Sequence, residues 1–471
     1  MFKHTVFMAS KHGFKIALIG AGSAAWAIGL VKDLALIPSL GGSTVVLMDI
    51  DEDRLALVSR FAKRYVSEVK GNLNIVATTD RREAIKDADF VVNSTLAKGH
   101  GHYERMREVS EKYGYYRGIN SVEWNMVSDY HTIWGYYQFK LALDIANDVV
   151  DYAPNAWLLN VSNPVFELTT LISRETKAKV IGLCDGYYAY KDLLKVLGLE
   201  ESKSEIEVIG VNHDDWLTKL KYNGEDAYHL IDEWISTKSS QYFERWREEQ
   251  SNPFDVHVSP VAVDMYRMYG LWPIGDTVRS GTWKYHWDLK TKQYWYGPLG
   301  GPDSEIGWAM YLTWHKIEFN ELKRALENEA KPLTDYIPPV RSEGEPVTMV
   351  IEAIVEDSGR VIEVNVPNQD AIPGVPGDVA VEMPARVDAK GVHRLSFSNL
   401  PKAWGRVLKY AIMPRVIRGE WAIEAFLEGG RDALFNWLIV DPRTKSNEQV
   451  NQVIDAILKM PGNEEMAKHF S

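Results

Sequence analysis

The sequence predicts an α/β protein: a doubly wound, parallel sheet over residues 14–212, followed by an α+β region over 213–471. Three observations carry this expectation. A short apolar run, Ile16 to Ile19, closes on a glycine turn at Gly20-Ala21-Gly22. Strand-like and helix-like stretches then alternate as far as Val211, the pattern that builds a parallel sheet with helices on its faces. Past residue 215 the chain turns to charged amphipathic segments, an aromatic-rich loop and a long helical tail. At 471 residues it exceeds one ordinary domain, and 45% hydrophobic residues supply side chains for two cores.

Ile16 to Ile19 is too short for a helix and is bounded by glycine, so it reads as a buried parallel strand. Gly20 and Gly22 let the backbone turn sharply and approach a ligand. A helix starting near Ser23 then points its free N–H groups and positive dipole end at the turn, the arrangement that holds a pyrophosphate. Ala25 takes the third place of the G-x-G-x-x-G/A pattern of Rossmann-type domains. Val45 to Met48 is a second strand ending in Asp49, which is placed to accept hydrogen bonds from a ribose diol. An acid there repels a 2′-phosphate, so NAD is expected over NADP. The bland alternative is a tight turn that binds nothing. Asp49 lies beyond the usual spacing of about 20 residues from the glycines, so the helix between must be long or followed by an extra loop.

Further along, Glu52 to Val69 has helical spacing, and Asn74 to Ala77 and Phe90 to Asn93 read as strands. Gly99 to Gly114 is polar and predicts a mobile loop and short helix at the cofactor crevice. Asn120 to Val150 predicts a helix beginning at Asn120-Ser121, with Glu123 in its first turns. Trp157 to Val161 is the next strand, with Asn163-Pro164 at its carboxyl end. Ligands of open α/β sheets bind there, which makes Asn160 and Asn163 candidates for contacts to nicotinamide or substrate. Val180 to Leu183 ends in Cys184-Asp185-Gly186, and Ile206 to Val211 ends in Asn212-His213. Trp216 to Lys221 predicts a strand, Leu230 to Glu248 one helix, and Pro260 to Tyr269 another with Pro260 at its first position. Leu271 to Trp287 is a dense loop of the functional kind. Val347 to Glu356 and Arg360 to Val366 read as an exposed hairpin around Asp357-Ser358-Gly359, and residues 403–460 as helices.

A net charge of −12 with no basic cluster excludes nucleic acid and anionic membrane surfaces as expected partners. A single cysteine rules out an internal disulfide framework and suits a reducing cytoplasm. No run of about 18 apolar residues is present to span a bilayer. The leading MFKHTVFMASKHG has no long apolar centre, so it reads as a disordered extension or a mis-assigned start rather than a signal peptide. The aromatic residues between Tyr266 and Tyr296 serve packing or form a sugar-stacking surface.

Cys184 and His213 each fall just past a strand, on the side where nicotinamide should lie. A thiolate and an imidazole suit a divalent transition metal, with water or substrate oxygens filling the other positions; the alternative is a buried filler and a satisfied core histidine. Asp276, between Gly275 and Thr277, is either a general base or an Asx turn. Arg279 and Lys284 pair with a substrate carboxylate, arginine bidentately, or else neutralise neighbouring acids.

Together these motifs resemble glycoside hydrolase family 4, the NAD- and divalent-metal-dependent glycosidases. The resemblance runs from the G-x-G-S turn and Asp49 through Asn163-Pro164-Val165, Cys184-Asp185-Gly186, Val211-Asn212-His213 and Pro273-Ile274-Gly275-Asp276 to Asp441-Pro442. It is most similar to the alpha-glucuronidase and alpha-galacturonidase-like branch, through Tyr115-Tyr116-Arg117-Gly118, Gly275 to Arg279 and Gly281 to Tyr285. The resemblance implies a lactate/malate dehydrogenase-like architecture. It implies cleavage of alpha-linked uronic acid glycosides by C3 oxidation with NAD, C2 deprotonation, elimination, water addition and re-reduction, with Mn2+ or another divalent metal as Lewis acid. By the same resemblance Cys184 and His213 hold the metal, Asp276 is the C2 base and Asn163 holds the sugar hydroxyls; the glycine turn and the strand ends place Gly20, Gly22, Ser23, Asp49 and Asn160 at the cofactor. A small sugar is the expected partner, and the protein a cytoplasmic homodimer or homotetramer.

Two departures matter. Asp185 follows the cysteine where family members carry His or Asn, making it a third ligand or the group that takes the C3 hydroxyl proton. Asn120 stands where this branch has an acid, so Glu123 or Asp185 replaces it, or the leaving group needs little help. The competing classes are an NAD-dependent 2-hydroxy-acid dehydrogenase, a glycosidase of the same family for neutral hexosides, and a non-catalytic NAD sensor.

Overall fold

Thirteen strands join in one sheet in the computed structural model, which describes residues 13–117, 135–280, 283–342 and 345–471. In chain order they are β1 Lys15–Ile19, β2 Ser43–Met48, β3 Leu73–Thr78, β4 Phe90–Asn93, β5 Trp157–Asn160, β6 Lys179–Gly182, β7 Ser204–Val211, β8 Asp214–Tyr222, β9 Glu225–Asp226, β10 Trp272–Ile274, β11 Arg360–Pro367, β12 Ala380–Asp388 and β13 Gly391–Arg394. The first six pair in parallel in the order β3-β2-β1-β4-β5-β6, the order of the dinucleotide-binding doubly wound sheet. The sheet continues antiparallel through β11, β12, β7, β8 and β10, with β13 beside β12 and β9 beside β8. Among the described residues one ladder pair, Asn365 with Gly182, links β6 of the parallel half to β11 of the antiparallel half.

The parallel strands are apolar on both faces because both are covered. In β1, Ile16 and Leu18 belong to one core, while Ala17 and Ile19 belong to the other. The second core also takes Ala422, Leu434, Trp437 and Val453 from the C-terminal helices, so the end of the chain packs onto the sheet that its beginning forms. The helix after the glycine turn is Ala25–Ala35, and a short turn, Pro38–Leu40, follows it; this is the extra loop that the spacing to Asp49 requires.

Three expectations need correction. Val347 to Glu356 is not a strand but part of the helix Pro346–Glu356, because Val347, Val350, Ile351 and Ala353 are buried at a 3.6-residue period and Glu345 caps the first turn at the Val347 N–H. The hairpin partner of β11 is β12. Gly99 to Gly114 is a continuous helix, Gly99–Lys112, whose buried His102, Tyr103, Met106 and Ser110 form a helical stripe hidden by the polar residues between them. Leu230 to Glu248 is two helices, His229–Thr237 and Ser239–Glu249, meeting at Lys238. The predicted helix start at Asn120, the acid candidate Glu123, the first twelve residues and the motif residues Gly118, Gly281 and Thr282 lie outside the described residues.

Candidate active site

The glycine turn is built as its sequence requires. Gly20 has φ of 95°, and a Cβ there would meet the Ser94 carbonyl at 2.8 Å. Asp49 lies beneath the turn: one carboxylate oxygen accepts the Gly22 N–H at 2.7 Å, the other the Asp51 N–H at 2.9 Å. Arg54 donates to the Gly22 carbonyl at 2.6 Å and lies over the Phe319 ring. Ser23 Oγ is buried with no hydrogen-bond partner among the described residues, an orphaned donor that suits a phosphate oxygen.

At the carboxyl ends of β4 and β5 the amides serve one another. Asn93 donates to Asn160 at 2.9 Å, and Asn160 donates to the Ser162 carbonyl at 3.1 Å. Asn160 is fully buried with both ends of its amide engaged, which ties the two strand ends together. Asn163, three residues on and half-buried before a cis proline, accepts the Val165 N–H at 3.4 Å.

Cys184 and His213, 29 residues apart in sequence, do converge, with Sγ and Nε2 separated by 3.4 Å. Cys184 ends the stretch after β6, and His213 occupies the two-residue turn between β7 and β8 at φ of 63°. Asn212 anchors that turn by donating to Glu382 at 2.7 Å. A metal about 2.3 Å from sulfur and about 2.1 Å from nitrogen subtends roughly 100° across this gap, an ordinary coordination angle. Burial pushes the thiol well up, and Glu382, Asp185, Glu363 and Asp276 push it further; burial also lowers His213 to about 4. A neutral imidazole and a thiol in a field of carboxylates form a donor set that a divalent cation completes, because the cation reverses the field that keeps the thiol protonated. Among the described residues no three His, Cys, Asp or Glu side chains close a ligand shell, which leaves positions for other oxygens. Asp185 is solvent-accessible beside Cys184, and partial desolvation by the surrounding protein, then the charge of Asp276, raises its pKa.

Asp276 reaches the same point from the loop after β10. Its Oδ2 is 3.6 Å from His213 Nε2, and its Oδ1 is 2.6 Å from an Arg279 nitrogen. Gly275 permits this with φ of 57°: a Cβ there would strike the Gly186 carbonyl at 2.3 Å, so the close approach is between two protein loops. Thr277 ties the loop to β8 by accepting the Asp215 N–H at 2.7 Å. Burial raises the Asp276 carboxyl, but Arg279, His213 and His257 together hold it well below the usual range, so it is ionised.

Arg279 is buried and committed. Besides Asp276 it donates to both oxygens of Asp303, at 3.0 and 2.8 Å, leaving the expected bidentate grip on a substrate carboxylate already taken by the protein. Lys284 is exposed on the short turn Trp283–Tyr285. Asp303 and the buried carboxyls Glu363 and Glu382 behind Cys184 escaped sequence reasoning. Asp303 carries no local motif, and the two glutamates sit in strands whose buried face reads as apolar. The aromatic stretch mainly packs: Tyr285 lies against Trp295 and Tyr296 against His286, with Trp287 and Tyr294 outside.

The model described as Family 4 glycosyl hydrolase matches residues 15–200, and that of the Family 4 glycosyl hydrolase C-terminal domain matches 208–444. The chain belongs to this family. It is thus a glycosidase of the kind that the sequence motifs resemble. It is 26% identical over 446 residues to an alpha-galacturonidase of Thermoanaerobacterium saccharolyticum, covering 92% of each chain. It is 25% identical over 475 residues to an alpha-glucosidase of Erwinia rhapontici, covering 94% of this family 4 chain and 97% of the relative. In structure it is similar to a 6-phospho-alpha-glucosidase from gut microorganisms in complex with NAD and Mn2+, with a TM-score of 0.75, 20% identity and coverage of 95% and 98%. Lactate dehydrogenase from Eimeria maxima superimposes with a TM-score of 0.51 at 14% identity, covering 90% of this chain and 97% of that one, which bears out the dehydrogenase-like fold.

Proposed function

We propose that this family 4 glycosidase cleaves alpha-linked uronic acid glycosides, using NAD and a divalent metal, manganese first. The observation that carries the reading is the convergence of Cys184 Sγ, His213 Nε2 and Asp276 Oδ2 within 3.4 and 3.6 Å at the carboxyl ends of the strands that begin with the glycine turn and Asp49. When bound, NAD supplies a hydride acceptor for C3 of the sugar and the metal supplies a Lewis acid for the adjoining oxygens. The protein's own residues do the rest. Cys184 and His213 hold the cation, Asp276 takes the C2 proton, Arg279 keeps Asp276 ionised and aimed, and Asn163 receives the sugar hydroxyls. Asp185 takes the C3 hydroxyl proton. Residues 14–212 carry the cofactor, and 213–471 complete the metal and substrate site and the oligomer contacts.

Specificity for a uronide is supported by the alpha-galacturonidase relative and by the exposed Lys284, now the cation of the sequence reading proposed to meet the carboxylate. The chain is proposed to work in the cytoplasm as a homodimer or homotetramer; no helix among the described residues is long and apolar enough to cross a membrane. A panel of aryl α- and β-glycosides, including glucuronides, galacturonides and neutral hexosides, assayed with NAD, Mn2+ and a reducing agent, tests the reading. Turnover of α-uronides without net NADH is expected. Net NADH from a 2-hydroxy acid would restore the dehydrogenase class, and preference for neutral hexosides would remove the uronide.

A further inference from the structure

Eliminating the bond at C1 needs a proton for the departing oxygen, and Asp276, set against His213 at 3.6 Å, is already assigned to the proton at C2. His257 is a titratable group that the scheme above leaves unused. His257 lies on the turn between the helices Ser239–Glu249 and Pro260–Tyr269. That turn lies against both walls of the site. Phe254 packs its ring 5.9 Å from the Arg279 guanidinium carbon, and His257 Nδ1 is 2.8 Å from Asp192 Oδ2. Asp192 stands on the helix Tyr190–Leu197, which directly continues the turn Asp185–Ala189 after Cys184. His257 Nε2 takes no part in that bond and makes no hydrogen bond among the described residues, and the side chain is 27% exposed.

We propose that His257, oriented by Asp192, is the catalytic acid and base at the glycosidic oxygen, an inference that rests on the elimination chemistry proposed above. As the C2–H bond breaks toward Asp276, its electron pair becomes the C1–C2 double bond. The C1–O pair leaves with the departing oxygen, and the Nε2 proton of His257 caps that oxygen. In the return half, neutral His257 takes a proton from the water that adds to C1, and Asp276 returns one to C2, so atoms and charges balance.

The surroundings suit the role. Burial lowers the His257 pKa, but the Asp192 hydrogen bond and then the charge of Asp276 raise it more, against a lowering by Arg279. Asp185, after β6, and Asp255, on the same turn, also face this charge. Geometry separates the two roles: Asp276 stands 3.6 Å from His213, while His257 is held through Nδ1 by Asp192 with Nε2 left out of that bond.

The test is a leaving-group series on the preferred sugar, from 2,4-dinitrophenyl to alkyl glycosides, in wild type, His257→Gln and Asp192→Asn. In His257→Gln the rate penalty should grow as the leaving group becomes more basic, reaching roughly 10²-fold or more for alkyl glycosides. Deuterium exchange at C2 should persist, because its base is untouched. In Asp192→Asn, a positioning variant, the basic limb of kcat/KM should move to lower pH by roughly a unit. A penalty equal across the series, or an unmoved basic limb, overturns the proposal. NAD titration monitors folding of each variant, and if His257→Gln does not fold, the Asp192→Asn profile decides. A wild type that never exchanges its C2 proton overturns the elimination chemistry itself, whereas normal exchange with a flat series overturns His257 alone.

Discussion

Replacing Arg279 with methionine keeps the length and apolar stem of the side chain but removes the charge between two carboxylates. Asp276 loses a partner at 2.6 Å, and Asp303, which is almost entirely buried, loses both of its arginine bonds at 3.0 and 2.8 Å. An adjacent guanidinium lowers a carboxyl pKa by about 1–3 units. At about 1.4 kcal/mol per unit, Asp276 alone then stands to lose roughly 1.4–4 kcal/mol, and a broken buried pair costs about 3–5 kcal/mol in total. The sign depends on pH. In the wild type the lowered Asp276 pKa stabilises the fold above the ordinary carboxylate value near 4 and is lost only as pH falls through the native value. In the variant, burial is unopposed by Arg279 and the carboxyl rises, so the deficit is largest near pH 7–8 and shrinks toward pH 4–5 as Asp276 protonates. Urea unfolding of both proteins across that range measures the difference, with NAD binding as the control for an intact cofactor half. A deficit under about 1 kcal/mol that does not vary with pH would refute the reasoning and leave the guanidinium for a substrate carboxylate.

Asp49→Asn keeps the acceptor of the Gly22 N–H but removes the charge, so the preference for NAD over NADP should narrow by about tenfold or more; titrations giving the wild type equal affinity for both would remove Asp49 from this role. Cys184→Ala, chelation and mild oxidation should each abolish turnover while leaving NAD binding in place, and full activity of Cys184→Ala after exhaustive chelation would return Cys184 to packing. Asn160→Ala should destabilise by about 1–3 kcal/mol through the unsatisfied Asn93 amide, with NAD affinity little changed; weaker NAD binding at unchanged stability would make Asn160 a cofactor contact after all.

The nucleotide half was legible because its signals are local. Gly20, Gly22 and Asp49 fall within one strand-turn-helix-strand unit, and their meaning follows from backbone sterics and charge. Local signals marked Cys184 and His213 only as strand-end residues and Asp276 only as a loop carboxylate, and the family resemblance alone joined them; their meeting depends on β7 turning back through the Asn212-His213 turn and on Gly275 abutting Gly186. The ion pair of Arg279 with Asp303 was not legible, because Asp303 stands 24 residues away, where sequence carries no sign of contact. The bond between Asn93 and Asn160 was hidden for the opposite reason: a strand-end position is common to residues that face the ligand and to those that face the neighbouring strand. The helix Pro346–Glu356 was obscured by its β-branched residues, although Val347, Val350 and Ile351 already carried the helical period.

The most direct test of the chemistry is the isotope at C2. Turnover of the preferred glycoside in deuterated water should place deuterium at C2 of the product, because Asp276 removes that proton before the C1 bond breaks and a solvent-exchanged one returns. Asp276→Asn should lower kcat by about 10²–10⁴-fold and abolish the exchange, with NAD binding unchanged. Product carrying only its original protium at C2 would contradict the mechanism, whatever the sugar proves to be.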